Sequence, residues 1–135
     1  MEGTASFAEA DRVARATNEA LNRADLSAVD ELLAEDVEYV ARDGVYRGRD
    51  HVVSYWEPQL ERFEMDFELE RIVDAGNGAV IMLHTVIRRS RETGEVELRA
   101  WPAVVLRVRE GKIVFLEGYR DRRKAFSDLG LELPE

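Results

Sequence analysis

Residues 63–91 read FEMDFELERIVDAGNGAVIMLHTVIRRSR, and this stretch decides the fold. Phe63, Met65, Phe67 and Leu69 alternate with Glu64, Asp66, Glu68 and Glu70, the two-residue period of a strand with one wet face. The apolar positions then shift to Ile72 and Val73, which places a β-bulge near Glu70–Arg71. Gly76-Asn77-Gly78 turns the chain, and Ala79–Arg91 returns as a second strand. That strand is apolar on both sides. Val80, Met82, His84 and Val86 share one face; Ile81, Leu83, Thr85 and Ile87 share the other.

Toward the C-terminus, Glu92-Thr93-Gly94-Glu95 is a hairpin loop, Val96–Arg109 a strand, Glu110-Gly111 a tight turn and Lys112–Arg120 a further strand. The four strands make an antiparallel meander. Arg122–Leu129 reads as a short closing helix, with Asp121 as its N-cap and Gly130 just past its end. Toward the N-terminus, Ser6-Phe7-Ala8-Glu9 is a capping box. It opens an amphipathic helix with Phe7, Ala10, Ala14, Thr17 and Leu21 on one side, ending near Ala24. Asp25 or Ser27 caps a short second helix, Val37–Arg42 is a strand, and Asp43-Gly44 is a turn. Asp50 opens a third helix, with Val52, Trp56 and Leu60 on one face, Tyr55 beside them and Pro58 weakening its end. Helices segregated from an antiparallel sheet define an α+β fold, with residues 1–135 as one domain.

These helices can cover only one face of the sheet, yet the strands are apolar on both. Val104, Leu106 and Val108 oppose Trp101, Ala103 and Val105; Val114 and Leu116 oppose Ile113, Phe115 and Tyr119. An apolar face of that extent implies an interface, so the expectation is a homodimer packed through the outer sheet face.

Composition removes several mechanisms. The 135 residues include no cysteine, which excludes disulfides, thiol nucleophiles and zinc–thiolate sites. Two histidines are too few for a histidine-rich metal centre, and no metal-ligand spacing, P-loop, dinucleotide fingerprint or nucleophile elbow occurs. No metal and no cofactor are expected. A formal charge of −9 argues against nucleic acid, whose phosphates need clustered cations. The opening MEGTASFAEADR lacks the basic start and apolar run of a signal peptide, and no stretch is long enough to span a membrane. The expectation is a cytoplasmic protein with no membrane partner.

The string ATNEALNRADLSAVDELLAEDVEYV (16–40), followed by YRGRDHVVSYW (46–56), resembles the start of the SnoaL-like branch of the nuclear-transport-factor-2-like superfamily. At the far end, VREGKIVFLEGYRD (108–121), a short helix and LGL (129–131) are similar to that family's last hairpin and tail. The resemblance implies a curved sheet wrapped by helices into a cone with a pocket at its open end. Its inner face would carry Val80, Met82, His84, Val86 and Arg88, then Val104, Leu106 and Val108, then Val114, Leu116, Gly118 and Arg120. Tyr39 would join them from the first strand, while Tyr55, Trp56 and Phe63 would close the mouth. Trp56, Trp101 and Phe63 could also plug it.

Of these residues His84 is the most suggestive, because imidazole titrates near neutrality and can act as general acid or base in an apolar pocket. It can equally be a core histidine bonded to a tyrosine or a backbone carbonyl. Tyr39 matches a family position where a pocket tyrosine donates to substrate, and paired with His84 it could polarise a carbonyl or epoxide oxygen. It also fits as a strand residue with its hydroxyl at the rim. Arg120 would be a cation at the mouth if it points inward, and otherwise an arginine reaching water. His51 reads as solvated surface.

Departures from the family's enzymes narrow the reaction. The ketosteroid-isomerase type carries a carboxylate near the position of Tyr39, but Glu38 should point to the opposite face. The limonene epoxide hydrolase type needs an Asp–Arg–Asp set with Tyr and Asn helpers; this sequence keeps Tyr39 but has Ala41, His84, Val86 and Gly118 where the resemblance puts the other groups, against that mechanism. The polyketide-cyclase type wants a carboxylate on the late strands, which Gly118 does not supply. Asp43, Glu57, Glu61 and Glu64 could still reach the mouth. Two readings stay open. One is a cofactor-independent isomerase, cyclase or dehydratase acting on an apolar small molecule through His84 and Tyr39, with Tyr55, Trp56, Phe63, Met82, Val104, Leu106, Leu116 and Arg120 around the substrate. The other is a non-catalytic ligand-binding domain or dimeric scaffold.

Overall fold

Three of the four helices start where a side chain completes the first turn. In a computed structural model describing residues 5–134, α1 (Phe7–Asn22), α2 (Leu26–Leu32) and α4 (Arg122–Asp128) are capped by Ser6, Asp25 and Asp121. These caps accept from the backbone N–H groups of Glu9, Ala28 and Arg123 at 3.1, 3.1 and 2.9 Å. Met1–Thr4, where the N-terminal leader reading begins, and Glu135 lie outside the described residues. Helix α3 (Arg49–Arg62) differs from expectation: Gly48 stands at its N-cap with no side-chain bond, and the helix runs through Pro58 to Arg62. Beside the proline, the Gln59 side chain donates to the Tyr55 carbonyl at 3.1 Å, which occupies one acceptor of the disturbed turn.

The strands are β1 (Leu33–Ala41), β2 (Gly44–Arg47), β3 (Phe63–Gly76), β4 (Ala79–Ser90), β5 (Val96–Ala100), β6 (Ala103–Arg109) and β7 (Lys112–Tyr119). They form one sheet in the order β2-β1-β7-β6-β4-β3, with β5 also on β4. The meander is present, but the sheet is mixed, because β1 runs parallel to β7 with Tyr39 beside Leu116. Past the expected turn at Asp43-Gly44, strand β2 pairs with β1. The expected bulge falls between Leu69 and Arg71. Val96–Arg109 is two strands, since Pro102 has no N–H to continue the ladder and the chain breaks at Trp101-Pro102. A further register shift pairs Val108 with Ile113 and Arg107 with Phe115, leaving Val114 as the extra residue. Ile113, rather than Val114, therefore faces the helices.

Each face of the sheet builds its own cluster. The inner one joins Val80, Met82, Leu106, Val108, Ile113 and Leu116 to Val13, Ala14, Val29 and Val52 of the helices. The outer one joins Ile81, Leu83, Ala103 and Val105 to Ala125 and Phe126 of α4. The C-terminal helix covers part of the face expected to pair with a second copy, so Ile81, Leu83, Ala103 and Val105 are buried within one chain. Among the described residues no helix is long and apolar enough to cross a membrane.

Candidate functional site

Between the inner face and the three N-terminal helices lies a cavity of about 260 Å³ that opens to solvent. Of the residues expected around it, His84, Tyr39, Tyr55, Trp56, Met82, Val104, Leu106, Leu116 and Arg120 all line it. Phe63 does not. Phe63 is the C-cap of α3 and lines a neighbouring groove with Asp43, Tyr46 and His51. Its ring lies under the Arg88 guanidinium, 4.3 Å from ring centre to Cζ. The cone is not plugged: Trp101 is 57% exposed on the outside, and Trp56 forms part of the wall.

His84 sits at a corner of the sheet. On one side β3 bulges at Glu70, opposite the His84–Leu83 pair. On the other, β6 ends its pairing at Leu83 and β5 begins at Val86, so the His84 N–H reaches the Pro102 carbonyl at 3.3 Å. Bulges and ladder breaks of this kind re-aim side chains. Arg122, the first residue of α4, bolts the corner from outside. Its guanidinium donates to the carbonyls of Trp101 and His84 at 2.9 and 2.8 Å and to the Glu70 carboxylate at 3.1 Å. The Thr85 hydroxyl and Arg122 together hold the Glu70 carboxyl below its ordinary range.

Inside the cavity His84 has one side-chain partner among the described residues. Its Nε2 lies 2.9 Å from Oδ1 of Asn18, on α1. The orientation of that amide is settled elsewhere, since Asn18 Nδ2 donates to the Phe67 carbonyl at 3.2 Å. Asn22, one turn on, pairs with both backbone groups of Phe67, accepting its N–H at 2.7 Å and donating to its carbonyl at 3.0 Å. With Oδ1 fixed as an acceptor, the proton of a neutral His84 belongs on Nε2, and Nδ1 keeps its lone pair. Burial, reinforced by the nearby Arg122 charge, pushes the His84 pKa down to about 4, so the ring is neutral at pH 7. Neither Asn18 nor Asn22 was singled out from the sequence. The available signal was Asn18 at i+4 from Ala14, a polar residue in the buried stripe of α1.

Tyr39 stands across the cone, in a run of aromatic contacts that passes from Tyr46 through Tyr55, Tyr39, Trp56 and Phe67 to His84. Burial, with the Tyr55 phenol beside it, raises its pKa far above the ordinary value, so it remains a hydroxyl donor. Gly118 lies against that hydroxyl, where a Cβ would make an ordinary contact with Tyr39 Oη at 3.9 Å. Tyr39 and His84 share the cavity but not a hydrogen bond. The order β1-β7-β6-β4 separates their strands by three spacings, roughly 14 Å along the sheet. The direct Tyr–His pair considered from the sequence is therefore replaced by two polar groups on opposite walls.

Among the described residues no Asp or Glu lines the cavity. Glu38 points away and pairs with Arg47 at 3.0 Å, as strand alternation requires. Asp43 accepts from the Tyr46 hydroxyl at 2.9 Å, and Glu57, Glu61 and Glu64 do not reach the wall. The same set contains no cluster of three potential metal ligands.

A curved sheet wrapped by helices around an open, apolar cavity defines the nuclear-transport-factor-2-like class of α+β proteins. Within that class, residues 14–116 match the SnoaL-like domain, and the chain belongs to this family. No curated protein matches it closely enough to compare. Among solved structures it is similar to an LEH-like epoxide hydrolase of Mycobacterium tuberculosis, with 25% identity over 90% of both chains and a TM-score of 0.74. It also resembles an NTF2-like protein of unknown function from Burkholderia pseudomallei, with 22% identity over 88% of this chain and 95% of that one and a TM-score of 0.73. A third relative in fold is an M. tuberculosis protein solved with estradiol-17beta-hemisuccinate, at 13% identity, 84% and 95% coverage and a TM-score of 0.73.

Proposed function

We propose that the chain takes an apolar small molecule into this cavity and moves a proton on it, as a cofactor-independent isomerase, cyclase or dehydratase. The observation that carries the reading is the chain from the Phe67 carbonyl through Asn18 to His84, which leaves Nδ1 as an unprotonated base in an apolar cavity. A ring with pKa about 4 has the base strength of a carboxylate and is unprotonated at pH 7. It thus supplies what the absent Asp or Glu would. Tyr39, held as a donor, would bond the oxygen on which charge builds. A bound steroid ester in one relative and epoxide hydrolysis in another support a pocket of this kind for small, largely apolar molecules.

The test is native mass spectrometry of purified protein, with extraction and identification of the retained molecule, followed by turnover of that molecule by wild type and His84→Ala. Loss of turnover with a melting temperature within a few degrees supports the proposal. Unchanged turnover would end it.

A second reading, ligand binding without turnover, is favoured by the absence of a carboxylate among the lining residues. It predicts that His84→Ala changes affinity alone. A dimeric scaffold belongs to this reading, with exposed Trp101 beside α4 as the apolar part of the outer face still uncovered. Sedimentation at micromolar concentration decides it.

A further inference from the structure

The mouth of the cavity has the opposite electrical character to the chain around it. The protein carries a formal charge of −9, yet the ionisable residues lining the cavity are Arg42, Arg120, neutral His84 and the tyrosines. Strands β1 and β7 run parallel with Val40 beside Glu117, so Arg42 and Arg120 leave the sheet close together at the same end. Both are exposed, and among the described residues neither has a carboxylate within ion-pair distance. Among the described residues Arg15, Arg23, Arg47, Arg122 and Arg123 form ion pairs, whereas Arg42 and Arg120 adjoin a cavity wall without a carboxylate.

A third arginine lies near by but outside the cavity lining. Arg88 follows His84 and Val86 on the inner face, and its register partners Met65 and Leu98 both line the cavity. Its guanidinium rests on Phe63, and its Nε is buried with no acceptor. At the cavity itself, two arginines without carboxylate partners on low-dielectric walls make a field that favours a negative group. A planar carboxylate matches guanidinium geometry and can bridge two such groups.

We infer, building on the small-molecule reading above, that the ligand is an amphipathic anion: an apolar body inside the cone and a carboxylate-type group at the Arg42–Arg120 edge of the mouth. The body would lie along Met82, Leu106 and Leu116, with the Tyr39 hydroxyl and His84 Nδ1 on either side of it.

The experiment compares 2-naphthoate with its uncharged methyl ester, followed by Trp56 fluorescence or calorimetry at low salt. The acid should bind at least tenfold more tightly than the ester, and the preference should shrink with added salt. In an Arg42→Gln/Arg120→Gln double variant the acid should weaken about tenfold or more, while the ester stays within about twofold. A variant that binds the ester normally is folded, so the comparison carries its own control. Equal binding of acid and ester by wild type would overturn the anionic mouth and leave the pocket reading intact. If neither probe binds, both fall together.

Discussion

The two faces of one sheet receive the same kind of side chain and meet opposite fates. On β4, Ile81 and Leu83 look outward and are sealed under Ala125 and Phe126 of a helix only seven residues long. Val80 and Met82, their immediate neighbours, look inward toward three helices; Val80 is packed in the inner cluster, but at Met82 the space is left hollow. The difference lies in how the covering elements approach. Helix α4 lies on the outer face and inserts one ring, Phe126, into it. The N-terminal helices meet the inner face around a corner made by the β3 bulge and the β5–β6 break. Their large residues, Tyr55 edge-on and Trp56 stacked, pack against Tyr39 and line the wall without filling the middle. A filled face stabilises; a hollow one gives up part of that contact energy to keep room for something else.

The contrast can be broken first at Phe126. Its replacement by alanine should cost about 3–5 kcal/mol in urea unfolding, because the ring is sealed between α4 and the sheet. The exposed outer cluster should then promote self-association in sedimentation; a loss below about 1 kcal/mol would mean that the outer face is not the filled one. His84 gives the next largest effect, on the hollow side. Its pKa falls from 6.5 to about 4 on folding, so the native state refuses a proton that the unfolded chain accepts. Stability is therefore full above pH 6.5 and declines through the window down to pH 4, by about 3 kcal/mol. His84→Gln should remove that share of the acid sensitivity, measured as the difference between the two proteins' stability-versus-pH curves.

Adjacent residues sharpen the comparison further. Ala103 is sealed beneath α4, whereas Val104 lines the cavity. Ala103→Phe should cost about 1–3 kcal/mol by overpacking. Val104→Phe should change stability by less than about 1 kcal/mol and abolish binding of 2-naphthoate, since the new ring has a void to enter. If both variants lose stability equally, the cavity is not open space in solution. The smallest effect belongs to Asn22, which closes the free edge of β3 at Phe67. Asn22→Ala should cost about 1 kcal/mol and speed hydrogen exchange of the Phe67 amide.

Most elements of the fold were legible because local signals agree: the caps at Ser6, Asp25 and Asp121, the alternation of 63–69 and the shift near Glu70 each have a local physical cause. What escaped depends on partners distant in sequence. The parallel pairing of β1 with β7 and the extra residue at Val114 are properties of two strands at once. The outer face was read as bare because α4 was recognised as a helix while its target was not. Within the site the apolar wall followed from strand alternation, but the role of Asn18 did not. Its effect on His84 requires the Phe67 carbonyl, 49 residues further along the chain, to orient its amide. Phe63 falls outside the cavity although its place at the start of β3 was legible, because which groove a strand-end side chain enters depends on Asp43, Tyr46 and His51, distant in sequence.

The parallel contact between β1 and β7 bears on how the molecule comes into being. Tyr39 pairs in register with Leu116, so one wall of the cone is written early in the chain and its neighbour near the end. During synthesis, the aromatic residues of the first half emerge long before the strand that flanks them, and closing so long a loop is entropically slow. The hairpins from β3 onward can assemble as they leave the ribosome; the binding chamber cannot. It must wait for β7, and until then its aromatic lining is a surface that a chaperone or an aggregate would meet.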